Sequence, residues 1–161
     1  MTKQEEEFLH LAICIENLNS SWRILQELKD KKGSPVLINA AFQFSLIEYS
    51  KSFKISYGNV SNEKRKLKLD TKYIPDKYLE LHNRILNARD KLHAHSDLTL
   101  WDAKVYVRSS EYGKSVNYSK NNISGTEEFK NIESIIALIE ETLHVLYKKE
   151  IELKQKLPTN E

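Results

Sequence analysis

Nine consecutive residues hold the densest concentration of reactive side chains in this sequence: Arg89-Asp90-Lys91-Leu92-His93-Ala94-His95-Ser96-Asp97. A guanidinium grips two phosphate oxygens through a planar fork and stays charged through a transition state. An imidazole, with an ordinary pKa of ~6.5, can take a proton from a ribose 2′-hydroxyl or return one to a leaving oxygen. Asp90 or Asp97 could orient an imidazole or hold Arg89 in place. Such a set suits phosphodiester chemistry and needs neither metal nor cofactor. The blander reading makes the same residues ordinary charges at a helix end, with Arg89 satisfying the last carbonyls.

Those residues need an element to position them. A helix starting at Pro75 and running to about Ala94 is predicted from Tyr78, Leu81, Ile85, Ala88 and Leu92, which share one face. Arg89 falls about 40° from the centre of that stripe at ~100° per residue, so it borders the packed face. His93 follows one turn later, and His95 lies near the helix end. Three further helices are expected. Phe8, Leu11, Ile15, Leu18, Trp22 and Leu25 mark the first, over residues 3–32, closed by Gly33-Ser34-Pro35. The second, about 35–57, carries two stripes, Leu37/Ala40/Ala41/Phe44/Ile47 and Phe42/Leu46/Tyr49/Phe53, which predicts neighbours on two sides. Trp22, Phe42, Phe44 and Tyr49 are expected in the core. The last helix follows Thr126 and ends before Pro158.

Residues 58–73 are polar and basic and read as an exposed linker. Residues 98–119 interleave Val105, Val107, Val116 and Tyr118 with Trp101, Tyr106 and Arg108 around Tyr112-Gly113-Lys114. That pattern predicts a β-hairpin with one face covering the bundle or a dimer partner. The expected fold is mainly α, a four-to-five-helix bundle in a single domain over 1–161, with a hairpin inserted between the third and last main helices.

Composition narrows the function classes. The 161 residues include one Cys, four Gly and three Pro. A lone Cys14 in an apolar helix predicts a buried, inert thiol in a reducing, cytoplasmic setting. No run is long and apolar enough for a membrane span, and no signal peptide is apparent. The 25 Lys and Arg nearly cancel the 23 Asp and Glu, but unevenly. Residues 51–77 carry +5 and residues 103–126 carry +3, while each end of the chain carries −3. The basic stretches flank the Arg89 segment and nominate Lys64, Arg65, Lys66, Lys68, Lys91, Lys104 and Arg108 as RNA-binding residues.

The string Arg89, Asp90, Lys91, Ala94, His95 and Asp97 resembles the R-x(4–6)-H motif of HEPN-domain proteins, and is most similar to the abortive-infection-associated branch. The resemblance implies a helical bundle that pairs as a homodimer, with the motif meeting across the dimer cleft. It implies a metal-independent endoribonuclease of toxin or antiphage type, with RNA as substrate and an antitoxin or other protein as partner. Arg89 and His95 would be the catalytic pair and Asp90 the polar residue beside the Arg, with His93 and Asp97 as lesser candidates. Asp90 stands where many active relatives carry Asn or His, and an acid there repels phosphate. The alternative is a non-catalytic helical module that dimerises or binds RNA or a partner protein.

Glu7-x-x-His10 and Glu141-x-x-His144 offer a metal reading, since two E-x-x-H helices plus two more Glu build a di-iron site. A chain with 17 Glu and five His produces this spacing by chance, so no metal is expected.

Overall fold

The computed structural model describes residues 1–60, 63–93, 104–120 and 126–158, with side chains except at 59–60, 63–64 and 91–93. The architecture is mainly helical: four helices form a bundle, and a β-hairpin is inserted between the third and the last. A second, unexpected hairpin follows the second helix.

Helix α1 (Lys3–Lys29) begins with a reciprocal cap. The Thr2 hydroxyl accepts the Glu5 amide, and the Glu5 carboxylate accepts the Thr2 amide at 2.6 Å, satisfying two donors that a helix start leaves free. Its buried row is Leu11, Cys14, Ile15, Leu18, Leu25 and Leu28. Helix α2 (Pro35–Lys51) starts with Pro at its first position, where no amide hydrogen is needed. Ser34, the residue before it, makes no side-chain cap.

Only one of the two apolar stripes on α2 is covered. Phe42, Leu46, Tyr49 and the following Phe53 are in the core, whereas Leu37 is 71% and Phe44 51% exposed, with Val36 and Ala40 beside them also open. The expectation of Phe44 in the core is corrected: α2 packs on α1 and α3, and no described element lies over its outer row. Trp22 is half-buried, with its indole N–H donating to Glu140 at 2.8 Å.

The predicted linker is also corrected. Strands β1 (Ser56–Val60) and β2 (Glu63–Leu67) pair antiparallel, Gly58 opposite Arg65. Tertiary anchoring overrides the poor β-propensity of a Lys-rich stretch. The Arg65 guanidinium donates to Glu6 of α1 at 2.6 Å, and the Leu69 amide donates to the Ser52 carbonyl at 3.0 Å. Two 3₁₀ turns (Thr71–Tyr73 and Asp76–Tyr78) then precede α3 (Leu79–His93), so the helix proper starts four residues after Pro75.

Strands β3 (Lys104–Ser110) and β4 (Gly113–Ser119) form the inserted hairpin, with Val107 opposite Val116 and Val105 opposite Tyr118. Every residue of both strands is exposed, so neither face covers the described bundle. Trp101 lies outside the described residues. Helix α4 (Ile132–Lys154) follows a 3₁₀ turn and packs antiparallel along α1, with Lys29 on Glu133 and Asn19 on Tyr147. The core is one cluster in which α1, α2, α3 and α4 all take part, centred on Leu18, Leu46, Ile85 and Ile139. Among the described residues no helix is long and apolar enough to cross a membrane.

Candidate functional site at the end of α3

The last two turns of α3 carry Arg89 and Asp90. Arg89 stands at the edge of the packed face, as its helical angle requires, and its side chain is 26% exposed. Its Nη1 donates to Asp90 Oδ1 at 3.0 Å, while Nε is buried with no partner among the described residues. The other oxygen of Asp90 accepts Lys54 Nζ at 2.8 Å. Burial alone would raise the Asp90 pKa. The hydrogen bonds and charges of Lys54 and Arg89 outweigh it and hold the carboxyl below its ordinary value. Asp90 is therefore an anion bracketed by two cations, and the trio keeps one net positive charge.

His95 and Asp97 lie outside the described residues, as do the side chains of Lys91 and His93; α3 is described to His93 along its backbone. The arrangement of Arg89 with either imidazole is thus not among the described contacts.

Sequence reasoning passed over Lys54, which takes part in these contacts, and the buried His82 on the same helix. Lys54 lies beyond the end of α2, 36 residues from Asp90, and no local pattern links them. His82 did leave a signal: it stands seven residues before Arg89, which puts the two on one helical face at ~100° per residue. His82 is 1% exposed. Its Nδ1 shares a 2.7 Å hydrogen bond with the Tyr49 hydroxyl, its ring meets Phe53 edge-on at 4.5 Å, and Nε2 has no partner among the described residues. Burial, with the nearby charge of Lys68 adding, pushes its pKa down to about 4. His82 is a neutral imidazole at neutral pH, packed against the end of α2.

Of the nominated RNA-binding residues, Arg65, Lys66 and Lys68 gather on a different face, a cleft that no residue of α3 lines. Arg65 is engaged with buried Glu6 and serves structure first. Lys104 and Arg108 are exposed on β3. Lys64 pairs opposite Asn59 through its backbone, its side chain lying outside the described set.

The E-x-x-H pairs do not converge. Glu141 accepts from Lys77 at 2.7 Å and Tyr78 at 3.1 Å. His10 Nε2 is 3.7 Å from the Cys14 sulfur. Among the described residues no three His, Cys, Asp or Glu side chains group as a metal site would require. Cys14 itself is buried and burial pushes its thiol up to about 11, against a smaller opposing effect of the hydrogen bond with Ser52. A thiol at that value is almost wholly protonated at neutral pH and a poor nucleophile.

Compared with family models, curated proteins and solved structures, the chain matches none of them.

Proposed function

We infer that this chain is a metal-independent endoribonuclease of HEPN type, acting in the cytoplasm as a toxin or antiphage effector from a composite site between two copies. The observation that carries the reading is the Lys54–Asp90–Arg89 chain of contacts at the start of the R-D-K-x-x-A-H-x-D string. An unpaired acid beside a phosphate site would repel substrate. Here the acid is neutralised from both sides and serves as a tether for the Arg89 guanidinium.

In the composite site each copy supplies one Arg89 and one His95. One imidazole takes the proton of the ribose 2′-hydroxyl, and the oxygen so activated attacks the adjacent phosphorus. The other imidazole returns a proton to the departing 5′ oxygen. Both guanidinium groups hold the phosphate as charge builds on its oxygens. A second copy is the occupant this reading assigns to the exposed row Val36, Leu37, Ala40 and Phe44 of α2.

The test is cleavage of a mixed RNA pool in EDTA by wild type, Arg89→Ala and His95→Ala, with light scattering to report the dimer. Loss of 10²-fold or more in both variants, with dimers intact, is expected. Equal activity in all three removes the catalytic assignment.

The non-catalytic reading has its own observation: the uncovered α2 row and the fully exposed β3–β4 hairpin are apolar surface of a kind that binds other proteins. A stable dimer without cleavage of any RNA in the pool favours it.

A further inference from the structure

Away from α3, a cleft of about 410 Å³ opens between the N-terminal half of α1, β2 with the chain that follows it, and the C-terminal half of α4. Its walls are strongly basic. Lys3 enters from α1, Arg65, Lys66 and Lys68 from β2 and its continuation, and Lys149 from α4. Two carboxylates, Glu7 and Asp70, oppose these five cations. His10 also lines the cleft, and burial lowers its pKa against a smaller raising effect of Glu6.

The pairing within the cleft decides what it can bind. Arg65 is committed to Glu6 at 2.6 Å and Lys149 to Glu152 at 3.0 Å. Asp70 accepts the Lys72 amide at 2.9 Å and stands 3.3 Å from the Lys72 ammonium. Lys3, Lys66 and Lys68 make no hydrogen bond or ion pair with the described residues. Lys3, Lys66 and Lys68, from two separate stretches of chain, therefore line one concavity in which cations outnumber carboxylates, Glu7 and Asp70 being the acids and Asp70 the one that feels the charge of Lys68. Low-dielectric walls focus such a potential. The Glu6–Arg65 pair fixes β2 on α1 and so keeps the Lys66–Lys68 stretch at the wall of the cleft that Lys3 also lines.

We propose that this cleft binds the phosphate group of a nucleotide unit, with Lys3, Lys66 and Lys68 as its cations. Phosphate offers several acceptor oxygens around one centre, which suits separate ammonium point charges. The volume is that of a small-ligand site, enough for one nucleotide unit and too little for a duplex. An RNA strand and a free nucleotide both present that unit. The proposal does not rest on the nuclease reading, because no residue of α3 takes part.

The experiment uses the full chain with two probes. Fluorescence polarisation follows a fluorescein-labelled single-stranded 12-mer RNA, and calorimetric titration follows ATP. Lys66→Glu/Lys68→Glu is compared with Lys31→Glu/Lys32→Glu, which makes the same charge change at the far end of α1. Circular dichroism confirms folding, and Lys66→Met/Lys68→Met repeats the comparison without introducing acid. The cleft variants should weaken binding at least tenfold while the far-end variant changes it less than threefold. The slope of log affinity against log salt should fall by about 1.4, at ~0.7 per phosphate contact on a single strand. A loss confined to RNA identifies its backbone as the source, and a loss with ATP identifies free nucleotide. Equal losses in the cleft and far-end variants, or a folded wild type that binds neither probe, overturn the proposal. Cleft-dependent binding by a wild type that cuts no RNA sinks the nuclease reading and leaves this one standing.

Discussion

The two hairpins reverse what their sequences suggest. β3–β4 has the longer strands and the better strand formers, Val105, Tyr106, Val107, Val116 and Tyr118, yet both faces are exposed. β1–β2 is five residues a side, with Glu63-Lys64-Arg65-Lys66 as most of one strand, yet it is seated on α1. The difference lies in long-range contacts. Arg65 reaches a Glu6 that is 3% exposed, and the missing side chain at Gly58 leaves room for that carboxylate. Whether a hairpin joins the fold is decided by what lies beneath it, and strand propensity only makes it ready.

The largest test of this comparison is Arg65→Ala. Glu6 has one oxygen on Arg65 and the other buried without a partner among the described residues. Removing the guanidinium leaves a buried carboxylate uncompensated, which costs about 3 kcal/mol. A urea midpoint measures the loss, and amide exchange in β1–β2 should rise with it. Glu6→Leu/Arg65→Leu should recover most of the stability, since apolar replacement of a buried pair is often neutral. If the single and double variants are equally unstable, the ion pair is not what seats the hairpin.

Acid provides the next largest effect at the same end of the molecule. His82, against Tyr49 and Phe53, titrates near 4 in the folded chain because burial disfavours its cation. In the unfolded chain its pKa is ~6.5. Between these values the unfolded state holds the extra proton. Stability is therefore full above pH ~6.5 and is lost as pH falls toward 4, by about 3 kcal/mol at the limit. His10, also lowered, adds in the same direction. Denaturation midpoints at pH 7 and 4.5 should diverge more in wild type than in His82→Gln. The described part of β3–β4 buries no titratable group, so its exchange rates, corrected for intrinsic chemistry, should ignore this range. A His82→Gln chain with the full acid sensitivity of wild type would remove His82 from the account.

A smaller loss is expected for Gly58→Ala. An added Cβ would stand 2.0 Å from Glu6 Oε1 and 2.9 Å from Leu67 Cδ1. The Glu6 side chain would have to leave its place under the hairpin, at a cost of about 2 kcal/mol. Combining Gly58→Ala with Arg65→Ala should cost less than their sum, because both act on Glu6.

These contacts mark where sequence reading reached and where it stopped. The α1 stripe, the core-bordering place of Arg89 and the β3–β4 hairpin were all legible, because each is written at a helical or strand period within one element. The seating of β1–β2 was not, since it depends on Glu6 and Arg65 meeting across 59 residues. The Lys54 tether of Asp90 was hidden for the same reason. The α2 stripe misled in the opposite sense: Phe44 has a core residue's spacing, but nothing among the described elements covers it. Periodicity reports that a face is apolar and leaves open what lies on it.

The smallest expected effect tests the other half of the comparison. Gly113 closes the β3–β4 turn at φ 119°, a conformation side-chain-bearing residues rarely adopt, and no atom lies within 4 Å of the place a Cβ would occupy. Gly113→Ala therefore meets backbone strain of about 1–2 kcal/mol and no clash. That strain belongs to a hairpin with no buried side chain in either strand. The turn should loosen and amide exchange at its tip should speed several-fold, while the bundle's urea midpoint moves by less than ~0.5 kcal/mol. Replacing residues 105–118 with a short Gly-Ser link should leave that midpoint equally unmoved at low protein concentration. A bundle destabilised by either change would mean that β3–β4 is supported by the fold after all. If the loss appears only at high concentration, the support comes from a second chain, and the exposed row Val105, Val107, Val116 and Tyr118 is where that chain is held.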